Sequence, residues 1–438
     1  MKTAVVEKSE LGGVCLNWGC IPTKTLLKSA QVFNYVSHAE NYGIKIDGDI
    51  APDFESMVRR SREVAGNMSK GIQFLFKKNK IEHLAGFGKV MPGKKVEVKD
   101  ADGKKKEYTA GHIIIASGAR SRELPFLKQD GKKVIGYREA MTLPAQPKSM
   151  VVVGSGAIGS EFAFFYNSIG TEVTLIEVLP EIVPLEDVEV SKQLGRSFKK
   201  AGIKVMTGVS VEDVDTKGKS CKVKVKTKKG EEVIEAEIVL SAVGIAPNLE
   251  GLGLEETGIA LEEGKVKVDD YYQTSVSGYY AIGDIVHGPA LAHVASHEGI
   301  TCVEKIAGLD PEPVDYNNVP ACTYTNPEVA SVGMTEKQAK DAGYEIKVGK
   351  FPYSASGKAS ASGNKEGFVK VIFDAKYGEW LGCHMIGDNV TEMIAEAVAA
   401  RKLETTGHEI IKTVHPHPTM SEAVMEAVAA AYDEVIHI

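Results

Sequence analysis

Three things are missing from this 438-residue sequence, and each narrows what it can be. No run of eighteen apolar residues occurs, so no transmembrane helix is expected. No sign of charge dominates: 52 Lys and Arg stand against 59 Asp and Glu, a net charge of −7, with acids and bases interspersed. That balance argues against nucleic acid or an anionic membrane surface as a partner. Cysteine is scarce, six in the whole chain, which excludes a disulfide scaffold and favours a reducing, cytoplasmic setting. The opening "MKTAVVEK" turns charged again by residue 7 and has no signal-peptide pattern, and low-complexity segments are absent.

What is present is a chain too long for one core, with 43% hydrophobic and 25% charged residues, so several globular domains are expected. "AVVE" (4–7) reads as a short buried strand. Residues 22–36 read as a helix with Pro22 in its first turn and Leu26, Leu27, Ala30 and Phe33 near helical spacing. "HIIIASGA" (112–119), "EIVLSAVG" (237–244) and "GYYAIGD" (278–284) read as buried strands running into glycine turns. "KVKVKTK" (222–228) alternates with period two and predicts an exposed antiparallel strand. After "LDPEPVDYNNVP" short alternating strands precede two alanine-rich helices, 390–402 and 419–432, which reads as a separate α+β C-terminal domain.

One segment carries a complete nucleotide-binding pattern. Strand Met150–Val153 leads into Gly154, Gly156 and Gly159, then a helix with Ile158, Phe162, Phe165 and Ile169 on one face, then strand Val173–Ile176 ending in Glu177. The first glycine makes the tight turn, the second admits a pyrophosphate, and the third lets helix and strand pack closely. The phosphates are expected on the helix N-terminus, and Glu177 on a ribose, where its charge repels a 2′-phosphate and so favours NAD over NADP.

Two of the six cysteines, Cys15 and Cys20, fall in "GGVCLNWGCIPTK" (12–24). With four residues between them, they can close a small disulfide ring, and a helix beginning near Pro22 would favour a thiolate at Cys20, with Lys24 one turn further on. A metal site and two unpaired core cysteines are the competing readings; a metal needs more ligands, and no second cluster lies near in sequence.

This stretch is similar to the redox-loop signature of the flavin disulfide reductases. "GSGAIGSEFA", "AVGIAPN", "YYAIGDI", "ALAHVASHEG", "TNPEVASVGMTE" and "HPHPTMSE" resemble further family motifs, in the family's order, nearly end to end. The resemblance implies an α/β fold of two Rossmann-like dinucleotide-binding domains plus the α+β domain as a dimerisation domain: 1–147 for FAD, 148–269 for NAD, 270–312 returning to the FAD domain, and 313–438 at the interface. It implies that Cys15 exchanges with a dithiol substrate while Cys20 faces the flavin. Lys24 would lie near the flavin and pair with Glu161. Glu7, Gly86, Gly118, Asp284, Leu291, Ala292 and His293 would serve FAD, and Val209 and Gly244 would contact NAD. His417 and Glu422 would form the acid–base pair and reach the disulfide of the other subunit of a homodimer, with His415 structural. No metal is implied. Glu177 and the wording of "LAHVASHEG" and "HPHPTMSE" look most like the branch of the family acting on reduced lipoyl groups. Its partner would be a lipoyl carrier protein of a 2-oxo acid dehydrogenase or glycine cleavage complex.

Two departures accompany the resemblance. "TAVVEK" matches the second strand of the first nucleotide-binding unit, so that unit's opening strand, glycine turn and helix, about thirty residues, are not in the sequence. The expectation is that Met1 is an internal methionine taken as a start; a chain that is truly short would bind FAD poorly and leave an apolar slot open. Ile245 stands where many relatives carry arginine.

Overall fold

The computed structural model describes residues 2–438, which fall into two compact units. The first comprises the segment up to Thr25, Val58–Arg122 and Ile245–Tyr316. Its parallel strands form two separate pairs, Ala4–Glu7 with Glu82–Ala85 and Ile113–Ile115 with Tyr279–Ala281. In the second pair Ile113 and Ile115 turn into a core with Val90, Leu252, Tyr279 and Ile285, while Ile114 between them is 37% exposed, the period-two alternation of a strand with one covered face. The strand is therefore shorter than "HIIIASGA" predicts: Ala119–Ser121 forms a second strand, antiparallel to Ile245–Pro247. A three-stranded antiparallel sheet, Phe87–Met91, Lys95–Lys99 and Lys105–Thr109, and the helix Ala292–Ile306 complete this unit.

The second unit comprises Leu26–Met57, Glu123–Gly244 and Asn317–Ile438. Its parallel sheet runs in the order Lys204–Thr207, Glu172–Glu177, Ser149–Val153, Ile238–Ser241, Val134–Ile135. Ser149–Val153 is central, which is why it reads "SMVVV" without alternation. The helix Ala157–Ser168 buries Phe162, Phe165 and Tyr166; Ile158 is 38% exposed and so does not join the apolar face assigned to it. "KVKVKTK" is also corrected. Cys221–Thr227 is the middle strand of an antiparallel three, with Val223 and Val225 wholly buried and only its lysines outside.

The C-terminal sheet has five antiparallel strands, with Phe368–Asp374 and Trp380–Gly387 buried along their whole length. The helices Val390–Lys402 and Glu422–Ala431 supply Ile394, Ala397, Val424 and Val428 to its core. The second of these begins at Glu422, three residues after the start expected from the sequence. Lys370, 1% exposed, stands in the middle of this sheet. Its ammonium reaches Asp187 at 3.0 Å, Glu189 at 2.9 Å and Glu336 at 2.7 Å. Asp187 also caps the helix Val188–Lys200, accepting the Glu189 N–H at 3.0 Å, so one buried cation fixes a helix of the nucleotide-binding layer to the C-terminal sheet. Burial works to raise the Asp187 and Glu189 carboxyls, but hydrogen bonds and the Lys370 charge hold both below the usual carboxylate range. Lys370 itself is pushed up to about 12, its carboxylate partners outweighing its burial.

Replacing Lys370 by Met strands these carboxylates, and a loss of about 3–5 kcal/mol of stability at neutral pH is expected in denaturant unfolding. Carboxyls held low in the folded state contribute stability above their unfolded pKa and lose it as pH falls through the folded value. The gap between the native chain and Lys370→Met should therefore narrow on acidification; a gap independent of pH would count against this assignment.

Candidate functional site

Cys15 lies in a six-residue helix, Gly13–Trp18, rather than in a loop, and Cys20 is the first residue of the 18-residue helix Cys20–Ser37, which begins two residues before Pro22. Only Gly19 separates the two helices. A Cβ there would stand 3.0 Å from the Val14 carbonyl oxygen and 3.2 Å from the Cys15 Cα, a tight fit that the bare glycine relieves where the chain folds back on itself. That reversal brings the thiols together. Neither is in a disulfide, and Cys15 is hydrogen-bonded to Cys20. The bond to the Cys20 side chain, then burial and the Cys20 charge, push the Cys15 thiol up, against the Cys20 N–H and the Lys24 charge. Cys20 stands at the positive end of the long helix with Lys24 one turn along, a setting that favours negative charge on its sulfur. Among the described residues no group of three His, Cys, Asp or Glu could hold a metal ion.

In the same unit, Glu7 ends its strand and accepts the Ser9 N–H at 2.8 Å. Gly86 donates its N–H to the Glu7 carbonyl at 2.9 Å, and Gly118 accepts the Asn248 N–H at 2.8 Å. Asp284 is half-buried; burial pushes its carboxyl up and only the Lys265 charge works against that. A carboxylate so placed fits a ligand hydroxyl that would donate to it. Leu291, Ala292 and His293 open the 15-residue helix Ala292–Ile306. Glu298, on the same helix, was not singled out from the sequence. Its carboxylate accepts the Gly283 N–H at 2.5 Å and the Tyr316 hydroxyl at 2.7 Å, holding the backbone beside Asp284. Its place in "LAHVASHEG", within a helical apolar pattern, carries no mark of that bond.

In the second unit the glycine turn behaves as its sequence predicts. Gly154 has φ +98° and its Cα faces the Ala242 carbonyl, and Gly159 packs on the Gly154 carbonyl. Gly156, the N-cap of the helix, has open space before it, a cradle that a side chain would fill and a pyrophosphate fits. Glu177 is buried and tied down: its Oε2 accepts the Ser155 N–H at 2.9 Å and hydroxyl at 2.7 Å, and its Oε1 accepts the Leu179 N–H at 3.0 Å. Three of roughly four acceptor positions are used, leaving room for one ribose hydroxyl. Ser155, an "x" in G-x-G-x-x-G, is the orienting residue that the motif hides. Val209 is a core residue whose N–H donates to the Glu177 carbonyl at 3.0 Å, and Gly244 has φ +102° with open space beside it. Glu161 is buried and accepts the Tyr324 N–H at 3.0 Å.

His417 Nδ1 lies 2.8 Å from Glu422 Oε1, and Glu422 Oε2 accepts the Thr419 N–H at 2.8 Å. The helix starts at Glu422, so Pro418 is outside it and Glu422 is its first residue. Burial works to raise the Glu422 carboxyl; the Thr419 N–H and His417 outweigh it and hold it low. With Nδ1 turned to Glu422, Nε2 is the nitrogen left for another partner, and the side chain is 78% exposed. His415 differs: its nitrogens meet Glu396 at 2.8 Å and the Thr413 carbonyl at 3.0 Å, and its side chain is buried.

Because Cys20 holds Cys15 protonated, Cys20→Ser removes a neighbouring ionisable sulfur and should move the alkylation profile of Cys15 to lower pH by about one unit, worth about 1.4 kcal/mol. Iodoacetamide rates against pH measure this; an unmoved profile would sever the two thiols.

Comparison with known proteins completes the site. Residues 1–299 match the pyridine nucleotide-disulphide oxidoreductase family, and residues 319–428 match that family's dimerisation domain. The chain is 48% identical to dihydrolipoyl dehydrogenase of Rhizobium etli and 43% identical to that of Bacillus subtilis, in each case over 100% of this chain and 94% of the relative. The crystal structure of LpdA from Mycobacterium tuberculosis superposes with a TM-score of 0.90 at 27% identity, covering 98% of this chain and 93% of that one. The paired thiols of Cys15 and Cys20, the glycine turn at 154–159 and the C-terminal sheet are thus parts of one inherited whole, and this chain belongs to the pyridine nucleotide-disulphide oxidoreductase family.

Proposed function

We infer that this chain is a dihydrolipoyl dehydrogenase, oxidising protein-bound dihydrolipoamide to lipoamide and reducing NAD+ with FAD and a redox-active cysteine pair. The observation that carries the reading is the hydrogen-bonded juxtaposition of Cys15 and Cys20 at the head of an 18-residue helix, in a chain whose curated relatives bear that name over its full length.

FAD, when bound, supplies the two-electron relay between sulfur and nicotinamide. The chain's own residues handle the sulfur and the protons. A substrate thiolate attacks Cys15 of the oxidised pair; the Cys15–Cys20 bond breaks and its electrons leave on Cys20, where the helix N-terminus and Lys24 favour the charge. The second substrate sulfur displaces Cys15 and closes the lipoyl disulfide. Of the two protons the dithiol gives up, one ends on Cys15 and the other passes to His417 Nε2, with Glu422 holding the tautomer.

In this reading Glu7, Lys24, Gly86, Gly118, Asp284 and residues 291–293 serve FAD, with Glu161 the counter-ion expected for Lys24, and the 154–159 turn, Glu177, Val209 and Gly244 serve NAD. The matching division is 1–147 with 270–312 for FAD, 148–269 for NAD and 313–438 for the interface. The match to a dimerisation domain supports a homodimer, in which His417 of one subunit serves the cysteine pair of the other. The carrier is the lipoyl protein of a 2-oxo acid dehydrogenase or glycine cleavage complex, in the cytoplasm.

The direct test is NADH formation from dihydrolipoamide and NAD+ by the FAD-loaded protein; no turnover would overturn the reading. His417→Gln should lower that turnover by roughly 10²–10⁴-fold and leave flavin reduction by NADH intact. Equal losses in both half-reactions would remove His417 as the base.

A further inference from the structure

The helix that carries Cys15 has six residues, no side-chain cap and no charge at either end. A helix so short does not persist alone, so its place must be set from outside. Behind it lies the helix Phe54–Lys78. Arg62 Nη1 donates to the Asn17 carbonyl at 2.6 Å, and its guanidinium stacks 4.0 Å over the Trp18 ring. This puts a cation on the last turn of the short helix, where carbonyls lack partners and the dipole is negative. Asn17, midway between the cysteines and 3% exposed, donates both amide hydrogens, to the Leu11 and Gly13 carbonyls at 3.0 Å. Its Oδ1 lies 2.7 Å from the Ser69 hydroxyl, seven residues along from Arg62 on the same helix. Past Cys20, the buried Ser61 hydroxyl donates to the Pro22 carbonyl at 3.0 Å.

We propose that Arg62 and Ser69, acting through Asn17, are positioning residues that set the redox equilibrium of the Cys15–Cys20 pair. They touch no substrate. They hold the backbone on the Cys15 side of Gly19, while Ser61 holds the Cys20 side, and so keep the two sulfurs within bonding reach. A fixed pair closes a disulfide at lower entropic cost than a loose one. Loosening the clamp therefore favours the dithiol and makes the pair easier to reduce. The inference rests on the redox reading of the two cysteines and adds residues outside the signature stretch to it.

The test uses the full chain with FAD, equilibrated in dithiothreitol redox buffers, with free thiols trapped by alkylation and counted by mass, and melting temperature recorded alongside. Arg62→Met should shift the equilibrium roughly tenfold toward the dithiol, about 30 mV for a two-electron couple. Arg62→Lys, which keeps the charge and loses the planar stack, should fall between. Ser69→Ala, a smaller change that gives the measurement if Arg62→Met does not fold, should shift it about threefold in the same direction. A lowered melting temperature with an unmoved equilibrium in these variants overturns the proposal and leaves Arg62 and Ser69 merely structural. A native chain that forms no Cys15–Cys20 disulfide in any buffer instead overturns the function itself.

Discussion

Two sulfurs must meet, share a proton and part again without the chain around them rearranging. That requirement shapes the first unit. It explains a bare position 19, since a side chain there would crowd the Val14 carbonyl and the Cys15 backbone. It explains why one sulfur heads a long helix and the other sits on a short one: the first needs a field to bear a charge, the second needs to be reachable. It also explains a dense set of bonds to backbone carbonyls at Leu11, Gly13, Asn17 and Pro22, which secure the segment through its backbone rather than through its sulfurs.

The second unit meets a different demand. A nucleotide needs an opening at the strand end and a rigid floor beneath it. The three glycines divide that work, two closed against backbone and one facing open space. Glu177 is presented by Ser155 rather than left to wander, so its charge is spent on orientation as well as recognition. At the far end of the chain His417 and Glu422 follow the same rule, with the Thr419 N–H fixing the carboxylate that fixes the imidazole.

Much of this was legible in the sequence because it lies in short, local patterns. The strand–turn–helix–strand of 149–177, the cysteine spacing and the order of the motifs are all read along the chain. What escaped reading is of two kinds. Helix starts moved by two or three residues, at Cys20 and Glu422, because a proline near a helix start marks the region and not the first residue. Partners distant in sequence were invisible: Arg62 with Asn17, Glu298 with Gly283 and Lys370 with Asp187 are joined only by folding. "KVKVKTK" misled because its lysines advertise solvent while its valines are the core of a middle strand.

The buried ammonium at position 370 bears on how such proteins can be recombined. A hybrid that takes its nucleotide-binding layer from one relative and its C-terminal sheet from another inherits either the cation or its acids, and a mismatch leaves bare charge in an apolar interior. Residues 187, 189, 336 and 370 therefore constitute a single heritable character, and a crossover placed between them succeeds only when both parents agree at all four.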